Sequence, residues 1–240
     1  ETKFAHYLSA AEASSRNVAR EKDKIKMFVA DISHQTKTPI ANLLLYSELL
    51  MEEALPAPAR ANVEALYRQS KKLECLLDAL VKLSRLETGI IQLSPQPGAL
   101  QPLLQSVVAQ YAAKAAEKGL ALHLRDTEIF AVFDAKWTAE ALGNVLDNAI
   151  KYTERGFVTI SAESYELFVR INISDTGPGI PESEQAKIFA RFYRGEAARE
   201  QEGVGVGLYL ARQIVSGEGG YVKVASTPGK GSTFSVFLPK

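Results

Sequence analysis

All sixteen glycines of this 240-residue chain lie at or beyond residue 89. Glycine most readily bends or ends a regular element, so the first third of the chain is built to continue rather than to turn. Helix formers fill it, and one passage, Leu55-Pro56-Ala57-Pro58, breaks it. The pattern predicts two long helices joined by a short loop, which makes them antiparallel neighbours. In the first, Ile25, Phe28, Ile32, Gln35, Pro39, Leu43, Tyr46 and Leu50 recur three or four residues apart. Val63, Leu66, Leu73, Leu77 and Leu80 do the same in the second. These spacings are those of bundle seams. A lone hairpin cannot cover such stripes, so two copies are expected to form a dimeric four-helix bundle. Cys75, on the second helix, reads as a core residue.

The character of the chain changes at Gly89. A proline-rich passage to Pro102 marks a domain edge, and beyond it helix and strand signals intermix. Helices are predicted near 100–118, 136–151 and 204–217, with strands near 120–124, 129–133, 156–163, 166–174, 220–226 and 232–238. The fold expected is therefore α+β and multidomain: the hairpin, then an α/β sandwich with a mixed, largely antiparallel sheet under a helical layer. Lys and Arg balance Asp and Glu at 28 each, so no global field recruits nucleic acid or an anionic membrane. One cysteine and three scattered histidines argue against disulfides and structural zinc. The long uncharged stretch from Thr88 to Ala113 holds three prolines and five glutamines, a composition unsuited to crossing a bilayer. With no leader pattern at Glu1, the chain reads as an excised soluble fragment with no membrane segment.

Three motifs carry chemistry. Gly203-Val204-Gly205-Val206-Gly207-Leu208 opens a predicted helix, where bare backbone amides at a positive helix end suit a phosphate chain. By itself such a run serves close packing equally well. Asp175-Thr176-Gly177-Pro178-Gly179-Ile180 follows a strand with alternating Leu167, Val169, Ile171 and Ile173, placing a carboxylate where strand becomes loop. A surface turn gives the same pattern, but a carboxylate there accepts from an exocyclic amine and so selects adenine over guanine. On the preceding helix Asn144, Asn148 and Lys151 share a face, with Tyr152 next to them. Amide oxygens suit a Mg²⁺ that keeps waters and phosphate ligands, and a lysine neutralises phosphates. The plainer alternative is a pair of satisfied amides in a helix interface.

In this combination and order the chain resembles the transmitter core of a sensor histidine kinase, over about residues 25–240. Asn144 to Tyr152 resembles the N box, Asp175 to Ile180 the first glycine box, Ile188 to Arg194 the phenylalanine box and Gly203 to Leu208 the second glycine box. The resemblance divides the chain into a signalling helix or linker (1–24), a dimerisation and histidine phosphotransfer domain (25–90) and a catalytic ATP-binding domain (91–240). It implies a homodimer with ATP and Mg²⁺ as cofactors. Asn144, Asn148, Lys151, Tyr152, Asp175, Gly177, Gly179, Phe189, Phe192, Gly203, Gly205, Gly207 and Leu208 would line the nucleotide, with Asn148 on the metal. The partner implied is a response-regulator receiver domain, and the setting is the cytoplasmic side of a membrane-bound bacterial sensor.

The fifth box is Ser33-His34-Gln35-Thr36-Lys37-Thr38-Pro39. With Gln35 turned into the seam, His34 lies about 100° away on the flank that faces solvent. The resemblance makes His34 the phosphoacceptor and gives Thr38 the positioning of water in dephosphorylation. Pro39 removes the amide that would bond to Gln35, loosening the helix one turn beyond His34. Where the family usually carries an acid after the histidine stands Gln35, which orients an imidazole but cannot take its proton. Asp31, one turn earlier on the face of His34, is the expected substitute. Arg194 is placed to stabilise the transferring phosphate, and the charged segment Gly195 to Glu202 reads as a lid that Phe189 and Phe192 clamp, although aromatics three apart on a helix are more often plain core. Glu218 replaces a common histidine. The alternatives are a phosphatase centred on Thr38 with weak kinase activity, an ATPase of the gyrase and chaperone type, and a dimeric scaffold with a decayed site.

Overall fold

The computed structural model describes residues 32, 35–195 and 203–240. Asp31, His34, the predicted signalling segment 1–24 and most of the predicted lid lie outside the described residues. The chain divides after Gln92 into two units.

In the first unit, helix α1 (residues 35–52) continues through Pro39. α2 spans Ala57–Glu87, with Pro58 in its opening turn, where a missing amide costs nothing. The Lys37 ammonium lies 2.6 Å from the Asp78 carboxylate, and the Arg60 guanidinium donates to the Met51 carbonyl at 3.1 Å. Early α1 thus meets late α2, as antiparallel helices require. The buried residues are Ile40, Leu44 and Ser47 of α1 and Val63, Ser70, Val81 and Leu83 of α2. Within one chain the line that α1 buries is not the predicted stripe. Gln35 and Pro39 are exposed, as are Ile32, Leu43, Tyr46, Leu50, Leu66, Leu73 and Leu80; the helices are apolar on more than one face, and the other helix of the hairpin covers only one. Cys75 is exposed too, for the same reason, and is not a core residue.

The second unit holds β1 (Gln96–Ala99), α3 (Leu100–Glu117), β2 (Ala121–Leu124), β3 (Phe130–Phe133), α4 (Ala135–Tyr152), β4 (Phe157–Ser164), β5 (Phe168–Asp175), α5 (Glu182–Gln185), α6 (Gly207–Gly217), β6 (Tyr221–Thr227) and β7 (Gly231–Pro239). Five strands form a mixed sheet in the order β2-β4-β5-β7-β6. Only the β2–β4 pair in it is parallel. Val158, Ile160, Val169, Ile171, Ile173, Phe234, Val236 and Leu238 alternate onto one buried face, which meets Leu142, Leu146 and Ile150 of α4 and Leu210 and Ile214 of α6. The other face carries polar side chains such as Glu163, Arg170 and Asn172, the division expected of a sheet covered on one side. β1 was not expected. It pairs antiparallel with β3 in a separate ribbon, where an edge position tolerates Pro97 and the Phe133 ring fills the space above Gly98.

Candidate nucleotide-binding site

α4 starts at Asp134, whose side chain accepts from the amides of Lys136 and Trp137 at 3.1 Å each. One flank of the helix is fully buried through Ala141, Val145, Ala149 and Ile150. Asn144, Asn148, Lys151 and Tyr152 fall on the other, half-buried. The Asn144 amide nitrogen donates to the Glu140 carbonyl (2.8 Å) and that of Asn148 to the Asn144 carbonyl (2.9 Å). Both side-chain nitrogens are thereby tied to their own helix, which turns the amide oxygens outward as acceptors.

The second glycine loop lies against this face. A Cβ on Gly207 would sit 2.7 Å from Asn144 Oδ1, and one on Gly203 would sit 2.7 Å from Lys151 Nζ. Gly203 and Gly205 have φ of 133° and 72°, conformations that glycine adopts without strain. At Gly205 a side chain would also meet the backbone of Phe192 and Tyr193, within 2.7 to 2.9 Å. α6 begins at Gly207, so its amide end opens beside Asn144 and Lys151.

Asp175 closes the third side. Its Oδ1 accepts from the amides of Gly177 (2.9 Å) and Ser232 (3.2 Å). Burial pushes the carboxyl above its ordinary value, and these two amides pull it back. The loop after it is strapped down by residues that carry no motif. The Ile180 amide donates to Ser226 Oγ at 2.7 Å, and the Gln185 side chain donates to the carbonyls of Ile180 and Ser226 at 3.0 Å each. Gly179, at φ 74°, presses on the Thr227 carbonyl, leaving no room for a Cβ. A cavity of about 660 Å³ opens at this end of the sheet, between Asp175, Gln185 and the β6–β7 turn.

Lys151 donates to the Tyr152 phenol oxygen at 3.1 Å, its ammonium 4.7 Å from the ring centroid. Burial raises the Tyr152 phenol above its usual range, and the charge of Arg194 opposes this, so Arg194 belongs to the same neighbourhood. Phe189 and Phe192 separate. Phe189 is buried, edge-on to Phe234 with centroids 6.4 Å apart, the plain core position that the sequence also allowed, while most of the lid it was expected to clamp lies outside the described residues. Phe192 is exposed, at φ 60°, and its amide donates to the Gly205 carbonyl at 2.8 Å. Glu218 has a definite place: its Oε1 accepts from the Asp134 amide (3.0 Å) and the Thr138 hydroxyl (2.8 Å), joining the end of α6 to the start of α4. Its burial and the neighbouring Asp134 raise its pKa against those two bonds. In the first unit Gln35 and Thr38 are exposed on α1.

The arrangement fits a nucleotide with its metal. Two outward amide oxygens suit a hydrated, phosphate-bound Mg²⁺. A lysine and a helix N-terminus suit the phosphates. The half-buried carboxylate suits an amino group of the base. Residues 133–240 match the family described as histidine kinase-, DNA gyrase B- and HSP90-like ATPase. Residues 24–89 match the His Kinase A (phospho-acceptor) domain. Among curated relatives, sensor protein EvgS of Escherichia coli (strain K12) is 28% identical over 99% of this chain and 21% of its own length. The signal transduction histidine-protein kinase BarA of the same strain is 30% identical over 95% of the chain and 26% of its length. The circadian input-output histidine kinase CikA of Synechococcus elongatus is 34% identical over 89% and 30%. The chain therefore spans less than a third of these relatives. Among solved structures, full-length ShkA in complex with AMPPNP superposes with a TM-score of 0.72 at 29% identity, covering 89% of this chain and 45% of ShkA. The mycobacterial sensor histidine kinase MprB gives 0.55 at 27% identity, covering 60% of this chain and 97% of that one. With a phosphoacceptor domain followed by this ATPase domain in one chain, the protein belongs to the sensor histidine kinases of two-component systems.

Proposed function

We propose that the chain is the ATP-dependent kinase portion of a longer cytoplasmic-facing sensor, and that it phosphorylates its own His34. The observation that carries this reading is the convergence of Asn144 with Gly207 and of Lys151 with Gly203 at the amide end of α6. A triphosphate lying there meets an ammonium, a helix terminus and two amide oxygens at once. Asn148, with Asn144, would hold a Mg²⁺, which spreads the charge developing on the phosphates. Asp175 would take the amino group of adenine.

A neutral imidazole nitrogen of His34 attacks the γ-phosphorus. The N–P bond forms as the bond to the β-γ bridging oxygen breaks, and ADP leaves. Lys151 and Arg194 stabilise the charge on the transferring group. Asp31 takes the imidazole proton in place of the acid that Gln35 lacks. The phosphoryl group then passes to an aspartate of a receiver domain. Thr38, whose side chain is exposed one turn beyond His34, is open to an attacking water in the reverse direction, and with Gln35 it supports a phosphatase activity beside the kinase. Residues 1–24 transmit the signal from segments upstream, and the exposed stripes of the hairpin pair two copies.

The test is transfer of labelled γ-phosphate from Mg·ATP, run on the wild type, His34→Ala and Gln35→Glu. Acid-labile label that disappears in His34→Ala is expected. Label that survives that substitution overturns the assignment. An unlabelled wild type beside a labelled Gln35→Glu transfers the main role to the phosphatase.

A further inference from the structure

α3 and α4 run in the same direction. The Tyr111 hydroxyl packs 3.0 Å from where a Cβ on Gly143 would lie, Lys114 pairs with Asp147, and Lys118 reaches the residues from Ile150 onward. Both helices therefore bring their carbonyl ends, and the partial negative charge that goes with them, to the same side. Two such ends repel when packed in parallel. The last carbonyls of α4 also have no amide within their own helix. Lys118, at the C-cap of α3, answers both needs. Its ammonium donates to the carbonyls of Ile150 (2.9 Å), Lys151 (2.7 Å) and Thr153 (3.1 Å), which uses all three of its N–H bonds.

The turn held in this way carries the site. Lys151 projects from it toward Gly203. On its other side the Tyr152 carbonyl and Thr153 Oγ1 lie 3.2 and 3.3 Å from where a Cβ on Gly177 would sit, so the first glycine loop rests against it. Building on the nucleotide-site reading above, we propose that Lys118 is a positioning residue for ATP. It fixes the carbonyl end of α4, so that Lys151 keeps its aim at the phosphates and the Asp175–Gly177 loop keeps its place at the base. Lys118 is itself exposed. Water can therefore solvate the three carbonyls in its absence, and the fold depends on it far less than the geometry of the turn does.

Equilibrium ATP binding by the wild type, Lys118→Met and Lys118→Arg tests this, with thermal unfolding of each protein measured without nucleotide. Methionine keeps the stem and removes the donors, and the expected loss is about tenfold in affinity, the scale of one charge-assisted hydrogen bond. Arginine, which restores donors and charge, is expected within about threefold of the wild type. The nucleotide-free unfolding temperatures of both variants should stay within about 3 °C of the wild type, as for a surface substitution. Methionine binding as tightly as lysine overturns the proposal. So does arginine as weak as methionine, or an affinity loss matched by a large drop in unfolding temperature. A wild type that binds no ATP fails at an earlier point, and refutes the nucleotide site itself.

Discussion

Single atoms decide much of this site, and Gly205 shows how. Its φ of 72° is one that side chains rarely adopt, and an added Cβ would stand 2.7 Å from the Tyr193 carbonyl oxygen and 2.9 Å from the Phe192 carbonyl carbon. Backbone cannot rotate out of the way as a flexible side chain can. Gly205→Ala is therefore expected to lower ATP affinity by more than about tenfold, as strain of about 1–3 kcal/mol is relieved by moving the loop. Gly89→Ala is the control, since at φ 71° it meets nothing within 4 Å and carries the conformational strain alone. Titration calorimetry of both variants separates the two effects; equal affinities would remove the glycine loop from the site. The glycines, asparagines and Asp175 were legible in the sequence because their chemistry depends on residue type and short spacing. Lys118, Ser226 and Gln185 were not. Each depends on at least one partner more than 30 residues away, and a lone lysine at a helix end otherwise reads as a solvated surface charge. Glu218 was visible only as a departure from the family pattern, while its bonds to Asp134 and Thr138 span 84 and 80 residues.

At the scale of elements, β5 is the strand on which the second unit depends most, because it pairs with β4 on one side and β7 on the other. Ile171 is fully buried in it, whereas Leu167, in the hairpin before it, is 72% exposed. Ile171→Ala is expected to cost about 2–5 kcal/mol, the price of a large side chain removed from a close-packed core. Leu167→Ala should stay within about 0.5 kcal/mol of the wild type. Urea unfolding of the two variants checks the contrast, and equal losses would mean that β5 is not central. The strands of this sheet were readable because one-sided burial writes a period of two into β4, β5 and β7. β1 was not, since Pro97 and Gly98 read as linker and only pairing with β3 makes them a strand. In the hairpin the apolar periodicity marks the stripe left open for a second copy, and a separate line closes the hairpin itself. Ile40, Leu44 and Ser47 form the buried line within one chain, one position from the predicted stripe.

The exposed stripe has its meaning at the scale of the whole molecule. Leu43, Tyr46, Leu50, Leu66, Leu73 and Leu80 are between 40% and 61% exposed on the two long helices, a larger contiguous apolar surface than soluble monomers usually leave in water. Covering a half-exposed leucine adds about 1 kcal/mol, and in a twofold pairing every such residue counts twice. Six positions per chain then contribute about 12 kcal/mol, on the scale of the entropy lost on association. The wild type is expected to sediment as a dimer at micromolar concentration, and Leu43→Glu combined with Leu73→Glu as a monomer. Because both side chains face solvent within one chain, the double variant should keep its helical circular dichroism. ATP affinity should be unchanged, since the nucleotide site is built on the separate core of α4, α6 and the sheet. Ile40→Glu gives the opposite pattern, losing the share of the helical signal that the hairpin contributes because it places a charge inside the hairpin. A wild type that sediments as a monomer would leave the stripe without a partner copy, and the proposed phosphoacceptor His34 would then have only its own chain's ATP-binding unit as a source of phosphate.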